Sequence, residues 1–219
     1  MERELRITAD GSHTIYVKGM GEPYHSVHGA VQESRHVFVE QGFNTVKGQH
    51  VRILETGLGT GLNALFTLVE AKNRAKRVYY HAVEKYPLDP SEYRLVNHEE
   101  FIPGCPPGIS LDLHRTPWDQ EVSLTNSFTI YKEKADFREM DPPGLFDLVY
   151  FDAFDPSKQP HLWTEEIFDR IFQLMHRNAI LVTYSAKGSV RRTLVSCGFH
   201  VEKVPGPPGK REMIRAFRI

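Results

Sequence analysis

Two stretches of this chain carry residue types able to do chemistry. The first is ILETGLGTGLN at 53–63, where Gly57, Gly59 and Gly61 alternate with other residues between two apolar runs. Glycines so spaced let the chain turn tightly and let a ligand touch bare backbone. Glu55 and Thr56 precede the turn and Asn63 follows it. The second stretch is FDAFDPSKQPHLW at 151–163. Asp152 closes an apolar run there, so it falls at a strand end. A carboxylate in that position can hold an ammonium group, orient its lone pair after deprotonation and steady the positive charge that develops in a transfer. Phe154 could pack on a substrate or simply fill core, Asp155 and Pro156 could build the turn, and Lys158 could neutralise a phosphate.

Two further acids follow strand-like runs. Glu84 ends RVYYHAVE, with Lys85 next, and an acid there can accept both hydroxyls of a ribose. Asp136 in KADF suits an adenine amino group, with Phe137 offering a backbone amide; its plain alternative is a turn residue. Neither separates one nucleotide-like ligand from another. The glycine turn does more. The dinucleotide fingerprint is G-x-G-x-x-G, with a helix N-terminus facing a pyrophosphate. Here the pattern is E-x-G-x-G-x-G, which resembles the first motif of S-adenosylmethionine (SAM) methyltransferases. That resemblance implies a loop around the methionine and ribose, with Glu55 suiting the ligand's ammonium, usually through water. An acid there would repel a pyrophosphate.

The elements that must position these residues alternate. Apolar, β-branched runs at 50–56, 77–84, 128–133, 146–151 and 179–184 read as strands. Segments 61–73, 89–97, 164–175 and 189–196 read as helices, with Asp89 or Ser91 and Thr164 as caps and Pro90 in a first turn. Residues 98–126 are rich in Pro and Gly, with LDLHRTPW a possible short strand and His98-Glu99-Glu100 a solvated helix end. The runs 199–204 and 213–218 close the chain as an antiparallel hairpin. At the start, an Asp10-Gly11 turn between LRITA and HTIYVKG predicts a hairpin, and 24–41 predicts a helix. The expected fold is therefore α/β: a Rossmann-like class I SAM-dependent methyltransferase, with a seven-stranded, mostly parallel sheet and an antiparallel C-terminal hairpin. Residues 46–219 would form that domain, and 1–45 a hairpin and helix extension packed on it.

Composition narrows the setting. The 219 residues, 40% hydrophobic and 25% charged, suit one soluble core. No apolar run is long enough for a membrane span, and the N-terminus has no secretory pattern. Two cysteines, Cys105 and Cys197, in unrelated contexts argue against a zinc site or disulfides and fit a reducing cytoplasm. Eleven histidines show no ligand spacing, so no metal is expected. The net charge is −1, yet residues 185–219 hold eight basic residues (Lys187, Arg191, Arg192, Lys203, Lys210, Arg211, Arg215, Arg218) against Glu202 and Glu212. Such an end is either a solvated surface or a polyanion-binding face.

Four segments together resemble one family: ETGLGTGLN at 55–63, HAVEKYPL at 81–88, FDAFDPSKQPHLW at 151–163, and SAKGSVRRTLVSCGFHVEKVPGPPGKREM at 185–213. They look like the methyltransferase domain of MnmC, the enzyme of tRNA wobble-uridine modification, and its stand-alone relatives. YHSVHGAVQESRHVF at 24–38 resembles that family's substrate entry. The resemblance implies methyl transfer from SAM to the exocyclic amine of 5-aminomethyl-(2-thio)uridine. It implies Asp152 beside the amine, and Glu33, Phe154, Pro156, Lys158, Lys210, Arg211 and Glu212 on the substrate side. Glu55, Thr56, Gly57, Gly59, Gly61, Asn63, Glu84, Lys85, Asp136, Phe137 and Asp152 would surround SAM. No flavin (FAD) domain is expected here, so a separate enzyme would supply the aminomethyl precursor, and the basic C-terminal face would hold a tRNA anticodon loop. Asp155 and Gln159 depart from the family's expected small residue and Asn, and Pro207-Pro208 from a more flexible turn. Two competing readings are a spermidine-synthase-type aminopropyltransferase, whose D-x-x-D-P spacing Asp152 and Asp155-Pro156 match, and a catalytically idle RNA-binding adaptor.

Overall fold

The computed structural model describes residues 1–219. In chain order the main elements are β1 (Arg3–Ile7), β2 (His13–Val17), β3 (Glu22–Pro23), α1 (Ala30–Ser34), β4 (His50–Thr56), α2 (Leu62–Asn73), β5 (Arg77–Val83), α3 (Pro90–Tyr93), α4 (Ile109–Arg115), β6 (Glu121–Thr125), β7 (Phe128–Glu133), β8 (Phe146–Tyr150), α5 (Glu165–Gln173), β9 (Met175–Thr183), α6 (Gly188–Ser196), β10 (His200–Pro205) and β11 (Glu212–Phe217).

β4 to β11 make one sheet in the order β10-β11-β9-β8-β4-β5-β7-β6. β4 pairs in parallel with β5 and β8, β5 with β7, and β8 with β9; the two flanks, β6 and β10–β11, are antiparallel. The chain winds outward from β4 through β5 to β7, then returns to β8 on the other side. That reversal opens a crevice at the carboxyl ends of β4 and β8. Ile53 and Leu54, neighbours in β4, enter opposite apolar clusters, because strand side chains alternate. One cluster lies under α2; the other lies under α5 and α6, through Ile167, Phe168, Ile171, Val190 and Leu194. Thr164 Oγ1 accepts from the Ile167 amide, and Asp89 and Glu92 form a capping box with Pro90 inside it.

Four sequence expectations change. The sheet has eight strands, not seven, because β6 pairs back on β7 through a turn at 126–127 hidden in the Pro- and Gly-rich stretch. LDLHRTPW is mostly helical: Ile109 and Leu113 of α4, four apart, are both buried, a helical spacing rather than a strand's alternation. The predicted helix 24–41 begins only at Ala30, because Gly29 holds a φ of 147° against Asp10 and Tyr24 still bonds along β2. Past Ser34 it widens into a π-helical stretch, Arg35–Glu40. His98-Glu99-Glu100 is no solvated end: His98 is buried on the His13 carbonyl, and the Glu99 carboxylate accepts from the Gly108 and Ser110 amides.

The predicted N-terminal hairpin gains β3 as a third strand. It packs through Ile15 on Leu88 and Tyr93 and is tied by Arg3 to Glu92 and by the His13 amide to Asn97. The helical part that follows belongs to the main core, through Ala30, Val37 and Phe38. No helix is long and apolar enough to cross a membrane.

Candidate active site

Loops at the carboxyl ends of β4, β5, β7, β8 and β9 ring a cleft of about 910 Å³, roofed by the segment from Met20 to Val27. That is near the upper end of small-ligand sites. Thr56, Gly57, Gly59, Asn63, Glu84, Lys85, Asp136, Phe137, Asp152, Phe154, Lys158, Glu33 and Lys210 line it, so most of the sequence-selected residues converge although they span 178 positions.

The glycine turn is shaped for close approach. Gly59 has a φ of +51°, and a Cβ there would meet the Tyr24 ring at 3.0 Å. Tyr24 in turn sets its edge against Phe154, with ring centroids 5.4 Å apart. Glu84 is bound to backbone: Oε2 accepts from the Gly59 amide at 3.2 Å and Oε1 from the Tyr86 amide at 2.7 Å. The acid after β5 therefore braces the turn after β4.

Asp152 is the chemical centre. Its amide donates to Thr56 Oγ1 at 2.7 Å, which fixes the loop after β8 onto the end of β4. Its Oδ2 accepts from Asn63 Nδ2 at 2.8 Å. Its surroundings push it up to about 7: burial foremost, then the Glu33 carboxylate, opposed by the Asn63 hydrogen bond and the Lys210 charge. Lys210 Nζ bonds Glu33 Oε1 at 2.8 Å and lies 4.0 Å from the Tyr184 ring centroid. The other Glu33 oxygen accepts from the Ser26 amide. Tyr184 donates to the Ala153 carbonyl, and Trp163 Nε1 to the Phe154 carbonyl, so the whole 152–154 turn is pinned.

At the far end, Asp136 accepts from the Arg138 amide and guanidinium and from Lys85 Nζ at 2.8 Å. Arg138 foremost, then Lys85, holds its carboxyl well below the usual range.

Five selected residues do not reach the cleft wall. Glu55 is 1% exposed and bonds Asn63 instead. Gly61 faces Leu113 and His114. Pro156 stays in the turn, Arg211 is exposed, and Glu212 pairs with Lys203 at 2.6 Å. The basic end is also largely neutralised: Lys187 pairs with Asp155, Lys203 with Glu212, Lys210 with Glu33 and Arg215 with Glu202, while Arg218 donates to the Met175 carbonyl. Arg191, Arg192 and Arg211 keep no carboxylate partner. Conversely, Tyr24, Met20, Arg138, His161 and Tyr184 line the cleft without having been selected. For Tyr184 a signal existed, since it follows β9 on the ligand-binding edge of the sheet.

Comparisons with known proteins agree with this geometry. Residues 113–219 match the model of an S-adenosyl-L-methionine-dependent methyltransferase family. The tRNA 5-methylaminomethyl-2-thiouridine biosynthesis bifunctional protein MnmC of Aeromonas hydrophila is 31% identical over 90% of this chain and 33% of its own length. The MnmC of Polaromonas naphthalenivorans is 33% identical over 95% of this chain and 34% of its own. The chain thus spans about a third of these relatives. The crystal structure of MNMC2 from Aquifex aeolicus superposes with a TM-score of 0.78, at 30% identity, over 99% of this chain and 70% of that one. With its glycine turn, its crevice at the β4–β8 switch point and this similarity through nearly its whole length, the chain belongs to the MnmC methyltransferase-domain family, whose members are SAM-dependent.

Proposed function

We propose that this chain methylates the exocyclic amine of 5-aminomethyl-(2-thio)uridine at the wobble position of tRNA, giving the 5-methylaminomethyl product. One observation carries the reading: Asp152 Oδ2 is held by Asn63, while Oδ1 accepts no hydrogen bond and belongs to a side chain on the cleft wall. A carboxylate so presented, beside a SAM-type glycine turn, suits a cationic amine.

SAM supplies an electrophilic methyl group on sulfur. The amine arrives largely protonated, and the Asp152 carboxylate, titrating near 7, accepts its proton and keeps the nitrogen on line. The nitrogen lone pair forms the new N–C bond as the S–C bond breaks, leaving S-adenosylhomocysteine. Asp152 passes the proton it took to water in the cleft, and the restored carboxylate steadies the positive charge on the methylated nitrogen until that nitrogen loses its own proton. Phe154 and Tyr24 give the uracil ring an aromatic wall, and Tyr184 and Lys210 line the same cleft. Residues 1–45 act as an extension that contributes this roof. Arg191, Arg192, Arg211 and Lys158 supply phosphate contacts to an anticodon loop whose wobble base is flipped into the cleft. Another enzyme activity provides the aminomethyl precursor, and the reaction is cytoplasmic.

The aminopropyltransferase reading loses ground twice. Family membership points to methyl transfer, and Asp155, the second acid of D-x-x-D-P, is taken by Lys187 at 2.5 Å and by Ser157. The deciding experiment incubates the protein and SAM with tRNA from cells lacking the methylation step, then digests the tRNA for mass spectrometry. One methyl added to the wobble nucleoside, and lost on Asp152→Ala, supports the proposal. SAM binding with no methyl on tRNA would discard it, and no SAM binding at all would favour an idle adaptor.

A further inference from the structure

Behind Asp152 lies a polar chain that the reaction, as just described, does not use. Asn63, the second residue of α2, is 3% exposed. Its Nδ2 donates to Asp152 Oδ2 at 2.8 Å and to Glu55 Oε1 at 2.9 Å, so both amide hydrogens are committed to carboxyl groups. Its Oδ1 accepts from the Ser34 hydroxyl, and Ser34 is 1% exposed. The ionised Asp152 carboxylate can only accept, so it takes the amide nitrogen and leaves Oδ1 to the Ser34 hydroxyl. Three elements meet here: Ser34 from α1, Glu55 from β4 and Asn63 from α2. The remaining Glu55 oxygen is buried off the cleft wall and makes no full hydrogen bond; the Tyr80 hydroxyl, unpartnered as well, lies near it.

We infer that Asn63 is a positioning residue for methyl transfer, oriented by Ser34 and Glu55 so that it holds one oxygen of Asp152 and leaves the other for the amine, and that Glu55 serves this chain rather than the ammonium group of SAM. The inference rests on the role proposed for Asp152. Glu55 is suited to the task in its neutral form. Burial, above all, keeps its carboxyl well above the usual range, with Asp152 and Glu84 adding to that and Asn63 and Tyr80 opposing it. A neutral acid accepts Asn63's hydrogen without adding a second negative charge beside Asp152. The other groups acting on Asp152 are the Glu33 carboxylate from α1 and the Lys210 ammonium from the loop between β10 and β11. The Tyr80 and Tyr184 hydroxyls lie near it and are themselves pushed up, by burial foremost.

Two measurements test this without relying on tRNA. The first is SAM affinity by calorimetry. Glu55→Gln is expected to hold Kd within about threefold of the parent protein; a tenfold or greater loss would return Glu55 to the SAM ammonium and overturn the inference. The second is the titration midpoint of Asp152, followed by carbon-13 NMR of aspartate-labelled protein and assigned with Asp152→Asn. Asn63→Leu removes a hydrogen bond to the ionised form, so the midpoint should rise. Glu55→Leu should also raise it, by loosening Asn63, and the double variant should rise no further than Asn63→Leu. A fall in Glu55→Leu would mean that Glu55 is ionised and acts by charge, which sinks the inference. The near-isosteric Glu55→Gln keeps an acceptor oxygen and should restore the parent midpoint, so the test survives if a leucine variant fails to fold. These outcomes stand whether or not tRNA proves to be the substrate, and on an active substrate Asn63→Leu should lower kcat at least tenfold with little change in KM.

Discussion

Lys210 Nζ lies 2.8 Å from Glu33 Oε1, joining the loop between β10 and β11 to α1 across 177 positions of sequence. The pair closes the cleft beside Asp152 and couples its charge to that carboxyl. Being partly exposed, it contributes only about 0–1 kcal/mol to stability. Its effect on the site should be larger. Lys210 lowers Asp152, so Lys210→Met should move the acid limb of the methyl-transfer rate upward by roughly half a pH unit or more. A pH–rate profile checks this; an unmoved limb would separate the loop from the chemistry.

The rate itself should fall on the acid side with a midpoint near 7, as Asp152 gains its proton. The same group has a stability signature. Its folded value lies above the ordinary 3.8, so the fold is unpenalised below pH 4 and progressively weakened as pH rises from there to about 7. Asp152→Asn removes that penalty. It should therefore stabilise the protein at pH 8, by on the order of 2 kcal/mol or about 5 °C in Tm, and very little at pH 4. Thermal melts at the two pH values provide the comparison.

Three buried histidines give the opposite slope. Burial holds His25 and His114 down to about 4 and His98 to about 3. The unfolded chain takes up these protons near 6.5, so stability present above that value is lost as pH falls toward 4. Because His25 and His98 both tie the N-terminal sheet to the body, hydrogen exchange should show β2 opening first on acidification. Uniform protection loss would count against a local effect.

Gly59→Ala should cripple SAM binding, at least tenfold by calorimetry, while leaving the circular dichroism spectrum intact. The left-handed φ and the 3.0 Å approach of Tyr24 leave no room for a Cβ without moving the roof of the cleft.

Arg191, Arg192 and Arg211 should matter to RNA but not to SAM. Each alanine variant is expected to weaken tRNA binding similarly across sequences and to reduce the salt slope by about 1. The already paired Lys203 and Arg215 should change that slope less. Filter binding at several salt concentrations distinguishes the two groups.

Much of this protein is determined locally. The run of β4 into Gly57-x-Gly59, the acid closing β5 and Asp152 after β8 are short-range patterns, and the alternation of strands and helices places all of them on one edge of a parallel sheet. The capping box at Asp89 and the closing hairpin are equally local, because turn chemistry and side-chain periodicity act over a few residues. What the chain does with its charges was decided only by the tertiary structure. Glu55 looks like a ligand residue in sequence, yet β5 and α2 bury it and turn it toward Asn63. The eight basic residues of the tail look like one surface, yet five of them have found carboxylates or carbonyls, some from distant elements. Asp136 looks free for an adenine, yet Arg138 and Lys85 already occupy both its oxygens. Backbone conformation follows from neighbours along the chain; the charge and protonation of a side chain follow from neighbours in space.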